Sequence, residues 1–332
     1  MFAHQTILLA LSQLLSASIF VIFSIVLPQI TNAETARLEI YSIDTLTLTD
    51  KQFLLGLRDG KPARIGAELR LPMGTALIPA VVLIHGSGGV GANVDGWAQE
   101  LNSLGVAALI LDAFTGRGIT QTITDQSQLG SLTLIYDAYR ALDLLAHHPR
   151  VDPDRIAVMG FSKGGFAAMY ASMKRFQKLW GTPGLEFAAY IPFYPRCDAP
   201  FIEDENLSTH PIRVFHGAAD DYVPPAPTQR YVERLKRAGK DIQITVYEGA
   251  RHSFDNPLNP SMLTFPEAIL SSNCRREEKT AGEMLNLETG KAFNWSDACV
   301  TRGATVGYDG AARDKSIKAV KDFLRQQWKL PS

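Results

Sequence analysis

The sequence predicts an α/β fold of three layers, a mostly parallel central sheet with helices on both faces. Three observations predict it. From residue 35 onward, short β-branched runs alternate with longer helical patterns. Several of the runs, such as Ala80-Val81-Val82-Leu83-Ile84 and Ile156-Ala157-Val158-Met159, are continuously apolar, as strands covered on both faces must be. No long Pro/Gly linker interrupts the alternation, which argues for one layered domain over 34–332.

The expected strands are 37–43, 66–71, 78–84, 107–112, 155–160, 187–192, 211–216 and 242–247. The first two or three are more polar and suit an antiparallel edge. Helical periodicity occupies about 94–104, 129–147, 164–179, 225–239 and 314–328. Between His252 and the last helix, an excursion at about 253–313 is rich in Asn, Pro, Gly and charge. So long a structureless loop is unusual in a compact domain, so a folded, disulfide-pinned excursion is expected there.

The 332 residues carry 33 Lys+Arg against 34 Asp+Glu, a formal net charge of −1. That balance argues against a nucleic-acid partner, whose binding needs a concentrated positive field. Hydrophobic residues make up 46% and charged residues 20%, which excludes a disordered chain. Residues 1–33 contain no Lys, Arg, Asp or Glu, and an apolar run from Ile7 to Leu27 ends near Thr31-Asn32-Ala33. This reads as a signal peptide cleaved after Ala33, hence an exported, periplasmic or secreted protein. Its long run and lack of a basic start leave an uncleaved membrane anchor as the alternative, and the leader is the only expected membrane contact.

Of three cysteines, Cys274 and Cys299 share the late excursion, and a bond between them would be worth about 3 kcal/mol in the chain-entropy model. Cys197 is left over. No cysteine or histidine spacing has a metal signature; His147-His148 before Pro149 reads as a helix end or solvated surface.

The sharpest chemical signal is Gly160-Phe161-Ser162-Lys163-Gly164-Gly165. It follows an expected strand and opens an expected helix, the setting of a G-x-S-x-G nucleophile elbow. The turn is tight enough that side chains at 160 and 164 would clash, which pushes Ser162 outward at the carboxyl end of the sheet. A serine hydroxyl is a weak nucleophile and needs a base oriented by an acid. Folds with such an elbow follow the order serine, acid, histidine. Only His210, His216 and His252 follow Ser162. His252, in a loop after the strand at 242–247, is the expected base, and His216 a packing or turn histidine. The acid is expected in Ala219-Asp220-Asp221-Tyr222, as Asp220, with Asp221 and Asp198 as alternatives. Two backbone donors must stabilise an oxyanion: the N–H of Lys163, and that of Ser87 or Gly88 in the turn His85-Gly86-Ser87-Gly88-Gly89. No P-loop or dinucleotide fingerprint is present.

These pieces resemble the dienelactone hydrolase family of the α/β-hydrolase superfamily. The resemblance rests on 85–89, Asp112-Ala113-Phe114-Thr115-Gly116-Arg117-Gly118, 151–156, 160–165, 216–224 and 250–254. It implies a three-layer α/β-hydrolase fold and a small-molecule ester or lactone as substrate, with no metal or organic cofactor. The namesake enzymes use cysteine as nucleophile; Ser162 in its place favours ordinary carboxylic esters. The resemblance also puts Phe114 and Arg117 near the site, Arg117 as a substrate contact or a loop-holding salt bridge. The rival readings are a peptidase or acyltransferase with the same triad, and a catalytically silent binding protein of the cell envelope.

Overall fold

The computed structural model describes residues 35–280 and 282–331. The expected leader at 1–33 lies outside the described residues. Within them the strands are β1 (Thr35–Thr47), β2 (Lys61–Pro72), β3 (Ile78–Ile84), β4 (Ala107–Asp112), β5 (Val151–Phe161), β6 (Ala189–Phe193), β7 (Ile212–Gly217) and β8 (Ile242–Tyr247). These form one sheet in the order β1-β2-β4-β3-β5-β6-β7-β8. β2 pairs antiparallel with both β1 and β4, and every later pairing is parallel. The polar first strands thus form the antiparallel edge, and the continuously apolar runs lie in the middle.

Alternation along β3 sorts the core into two layers. Ala80, Val82 and Ile84 join a cluster with α3 (Ser131–Ala146), α4 (Lys163–Tyr170), α5 (Lys174–Trp180) and α6 (Pro225–Arg237). Val81 and Leu83 face the other way, with α2 (Ala92–Ser103) and α7 (Gly310–Trp328). Helices therefore cover both faces of the sheet. A further short helix, α1 (Asp50–Leu55), begins at a capping box between Thr49 and Gln52. Six residues are too few to show a helical period, which is why the pattern misses it.

The helix expected over 164–179 is two helices. Ser172 Oγ donates to Met169 O at 2.6 Å, and Met173 turns extended to bridge Leu207. A side-chain hydroxyl competing for a helical carbonyl, followed by a tertiary backbone pairing, ends the first segment.

The excursion is folded. It contains β9 (Leu263–Leu270), β10 (Arg276–Thr280), β11 (Glu283–Asn286), β12 (Lys291–Ala292) and β13 (Thr301–Val306), arranged as β13-β9 and β10-β11-β12 sheets. Cys274 and Cys299 are bonded within it. Buried Glu278 accepts both ends of the Arg175 guanidinium at 2.7 and 2.8 Å and the Ile202 N–H at 3.0 Å. His147 caps the end of α3, as the helix-end reading expects, and His148 beyond it is buried rather than solvated, with Nε2 3.1 Å from Glu39.

Candidate active site

Ser162 sits between β5 and α4 with φ 56° and ψ −111°, a conformation a non-glycine residue adopts only when its surroundings hold it there. Its N–H donates to Phe193 O of β6 at 3.0 Å, and its carbonyl accepts from Phe166 N at 2.8 Å. The flanking glycines are required by contact. A Cβ at Gly160 would lie 2.0 Å from Gly164 O, and one at Gly164 would lie 2.1 Å from Ile84 O. Gly165 meets the same limit against Phe193 O at 2.3 Å. The elbow is wedged between β3 and β6 with no space for a methyl group.

Two loops bring partners to Ser162. His252 Nε2 lies 2.9 Å from Ser162 Oγ, and its Nδ1 lies 2.7 Å from Asp220 Oδ2. The other oxygen of Asp220 accepts the Val223 N–H at 2.8 Å. Burial alone would raise the Asp220 pKa. The adjacent His252 charge and the hydrogen bonds from His216 and His252 outweigh it and hold the carboxyl at about 2. His216 is fully buried, and its Nε2–H donates to Val223 O at 2.8 Å while passing 3.4 Å from Asp220. It braces the turn that carries Asp220.

The alternative acids have other partners. Asp221 accepts the Thr305 N–H at 2.8 Å and its hydroxyl at 2.7 Å, tying β13 to the turn. Asp198 accepts two bonds from Arg276 Nη2, at 2.9 and 3.1 Å. Parallel bridging of His252 to Val306, with Gly307 N donating to His252 O at 3.0 Å, connects the histidine loop to the excursion.

The turn at 85–89 approaches the elbow from the other side. A Cβ on Gly86 would stand 3.2 Å from Ser162 Cβ. His85 locks this turn: Nδ1–H donates to Gly86 O at 2.7 Å and Nε2 accepts Ala113 N–H at 3.2 Å. Burial lowers the His85 pKa, so the ring is neutral and can do both. Ser87 and Gly88 line the space in front of Ser162. Lys163 opens α4, putting its N–H at a helix start where it is free of an intrahelical acceptor. Its side chain is buried too, with Nζ donating to Leu129 O at 2.5 Å and Thr122 Oγ1 at 3.3 Å. Burial, helped by the Arg196 charge, brings this amine down to about 7.

Neither Phe114 nor Arg117 lines the cavities beside Ser162, which corrects the expected place of Phe114 and the substrate-contact reading of Arg117, while the alternative for Arg117, a loop-holding salt bridge, is what forms. Phe114 packs edge-on against His85, with ring centroids 4.4 Å apart, and so supports the turn from beneath. Arg117 is the salt bridge. Its guanidinium makes two bonds to buried Asp137, at 2.7 and 2.9 Å, and spends its remaining N–H groups on Thr47, Ala113 and Leu46. No donor is left for a substrate.

Two cavities meet at Ser162. The tighter, about 60 Å³, is walled by Lys163, Phe166, Arg196, Leu270 and Trp295. The larger, about 200 Å³, lies on the His252 side against Asn256, Asn259 and Phe265. Tyr222 borders both, its ring 4.9 Å from His252, and Tyr194 lies 4.6 Å from the same imidazole. Sequence reasoning missed Thr122, Gln126, Tyr194, Arg196 and Trp295, for none stands in a recognisable motif. Among the described residues, no group of three or more His, Cys, Asp or Glu side chains could hold a metal ion.

Residues 65–328 match the model of the dienelactone hydrolase family. A Bradyrhizobium protein named a probable 2-oxo-3-(5-oxofuran-2-ylidene)propanoate lactonase is 24% identical over 201 residues, 57% of this chain and 78% of that one. A Methylorubrum extorquens protein provisionally named a carboxymethylenebutenolidase is 25% identical over 228 residues, 61% of this chain and 76% of that one. The crystal structure of a dienelactone hydrolase-like promiscuous phosphotriesterase from metagenomic libraries superposes with a TM-score of 0.55 at 20% identity. It covers 87% of this chain and 98% of its own, a likeness of fold.

Proposed function

Because the chain belongs to the dienelactone hydrolase family, we propose that it is a serine hydrolase that cleaves carboxylic esters or lactones through an acyl-enzyme. The observation that carries this reading is the Ser162–His252–Asp220 chain of contacts at 2.9 and 2.7 Å on a strained elbow. Ser162 Oγ attacks the ester carbonyl as His252 Nε2 takes its proton, forming a tetrahedral oxyanion. Asp220 holds the imidazole with Nδ1–H toward the carboxylate and stabilises the imidazolium. The N–H of Lys163 and that of Ser87 or Gly88 receive the negative oxygen.

Collapse of the intermediate expels the alkoxide, which takes the proton back from His252. The leaving group therefore belongs on the His252 side, in the larger cavity, and the acyl group in the tighter one. Water, deprotonated by His252, then attacks the acyl-enzyme and regenerates Ser162. Export is part of the proposal, with the Cys274–Cys299 bond in its support, since such bonds persist in oxidising compartments.

Hydrolysis of p-nitrophenyl esters from acetate to palmitate tests the proposal. Wild-type protein is expected to turn over the short esters and to label with a fluorophosphonate. Ser162→Ala should lose roughly 10⁴-fold or more in kcat/KM and all labelling. A wild-type protein silent in both assays, or a Ser162→Ala variant as active as wild type, overturns it.

A further inference from the structure

The two proposed oxyanion donors belong to separate parts of the chain. One opens α4 and the other lies in the turn after β3. A third segment, 122–129, lies between them and binds both through buried polar groups. On one side, Lys163 Nζ donates to Leu129 O at 2.5 Å and to Thr122 Oγ1 at 3.3 Å. On the other, Thr122 N donates to Ser87 O at 2.7 Å, and Gln126 Nε2 donates to Ser87 Oγ at 3.0 Å. Thr122 Oγ1 and Gln126 Oε1 close the middle at 3.4 Å. Thr122, Gln126, Ser87 and Lys163 are all buried.

We propose that Thr122, Gln126 and the Lys163 side chain are positioning residues that set the spacing of the two oxyanion donors. The proposal rests on the serine-hydrolase reading of the site. Its physical basis is that an oxyanion hole works only if its donors are already placed where charge develops. Backbone sterics fix the Lys163 amide, because the elbow has no slack. The Ser87 turn is not part of that elbow. Its carbonyl and its hydroxyl are both held by 122–126, and that segment is held to α4 by the lysine amine.

The amine is an expensive tie. Among the described residues no carboxylate is within hydrogen-bond reach of it; Asp50 and Asp125 act on it only at longer range, against the repulsion of Arg196. A methionine would fill similar space without burying an amine. What the methionine would lack is the pair of donor bonds to Leu129 and Thr122. The network adds a polar tie between the Ser87 turn and α4 to the backbone contact that Gly164 makes with Ile84 and His85.

Thr122→Val, Gln126→Met and Lys163→Met test this in the full chain, with Thr122→Ser as the conservative rescue. Each disruptive variant is expected to lower kcat for p-nitrophenyl acetate about 10- to 100-fold, less than the loss of a whole oxyanion donor. For Thr122→Val, which lines neither cavity beside Ser162, KM should stay within about twofold of wild type, because ground-state binding does not use the donors. Affinity for a trifluoromethyl ketone, whose adduct carries the oxyanion, should fall in step with kcat/KM, and Thr122→Ser should retain wild-type values. Combining Thr122→Val with Gln126→Met should cost less than the product of the single losses, as expected for members of one network.

Variants that keep kcat within about twofold, or that raise KM with kcat unchanged, overturn the proposal while the active wild type leaves the serine-hydrolase reading standing. Wild type that neither hydrolyses esters nor labels with fluorophosphonate overturns both. Should Lys163→Met not fold, the two neutral substitutions decide.

Discussion

Two adjacent aspartates show how much one peptide unit changes. Asp220 faces His252, while Asp221 faces Thr305 on β13. Asp220→Asn should lower kcat about 10⁴-fold, because the amide no longer enforces the productive imidazole tautomer. Asp221→Asn should leave kcat within a few-fold of wild type; steady-state kinetics on the pair would expose an inverted assignment. The Asp220 carboxyl is held at about 2, below its ordinary value. A depressed carboxylate stabilises the fold above its unfolded value of about 3.9 and loses that contribution as pH falls toward 2. Urea midpoints between pH 2 and 5 should therefore fall more steeply for wild type than for Asp220→Asn.

At the scale of elements, the elbow and the excursion carry opposite kinds of risk. Gly160→Ala puts a methyl 2.0 Å from a backbone oxygen that belongs to the adjoining helix, so soluble folded protein should not be recovered. The excursion is modular, held by its disulfide, by Glu278 and by Asp221. Reducing Cys274–Cys299 should cost about 3 kcal/mol in the chain-entropy model, read as a lower melting temperature. An unchanged transition after complete reduction would show that the ion pairs suffice. The excursion also supplies Leu270 and Trp295 to the tighter cavity. Trp295→Ala should shift the p-nitrophenyl ester optimum to longer acyl chains; a shift in leaving-group preference instead would reverse the assignment of the two cavities.

For the whole molecule, the buried lysine imposes a pH dependence on stability. Below about pH 7, Lys163 is charged in both the folded and the unfolded chain, and the folded state carries the full burial cost. Above that value it is neutral only when folded, so the unfolded chain binds more protons and stability rises with pH. The gain continues toward the ordinary lysine value near 10.5. Chemical denaturation at pH 6 and pH 9 should show a rise in wild type that Lys163→Met lacks; parallel slopes would mean the amine is hydrated in solution.

Much of this was legible in a single chain because the relevant physics is local. Apolar runs buried on both faces marked β3 and β5, and the glycine spacing around Ser162 encoded the sterics of the elbow within six residues. His252 and Asp220 were legible from their places after β8 and β7. The break at Ser172 was not, since it depends on Met173 pairing with Leu207. Nor was the engagement of Arg117, whose partner Asp137 lies on α3. Thr122, Gln126, Arg196 and Trp295 stand in no motif and reach the site only when the sheet stacks their segments around Ser162. Short-range sterics and periodicity are properties of neighbouring residues, so the sequence determined the elbow, the chain order of the candidate site residues and the family. Which polar groups are buried together, and which are thereby left free to meet a substrate, is settled only when distant segments exclude water from one another, and that the tertiary structure decided.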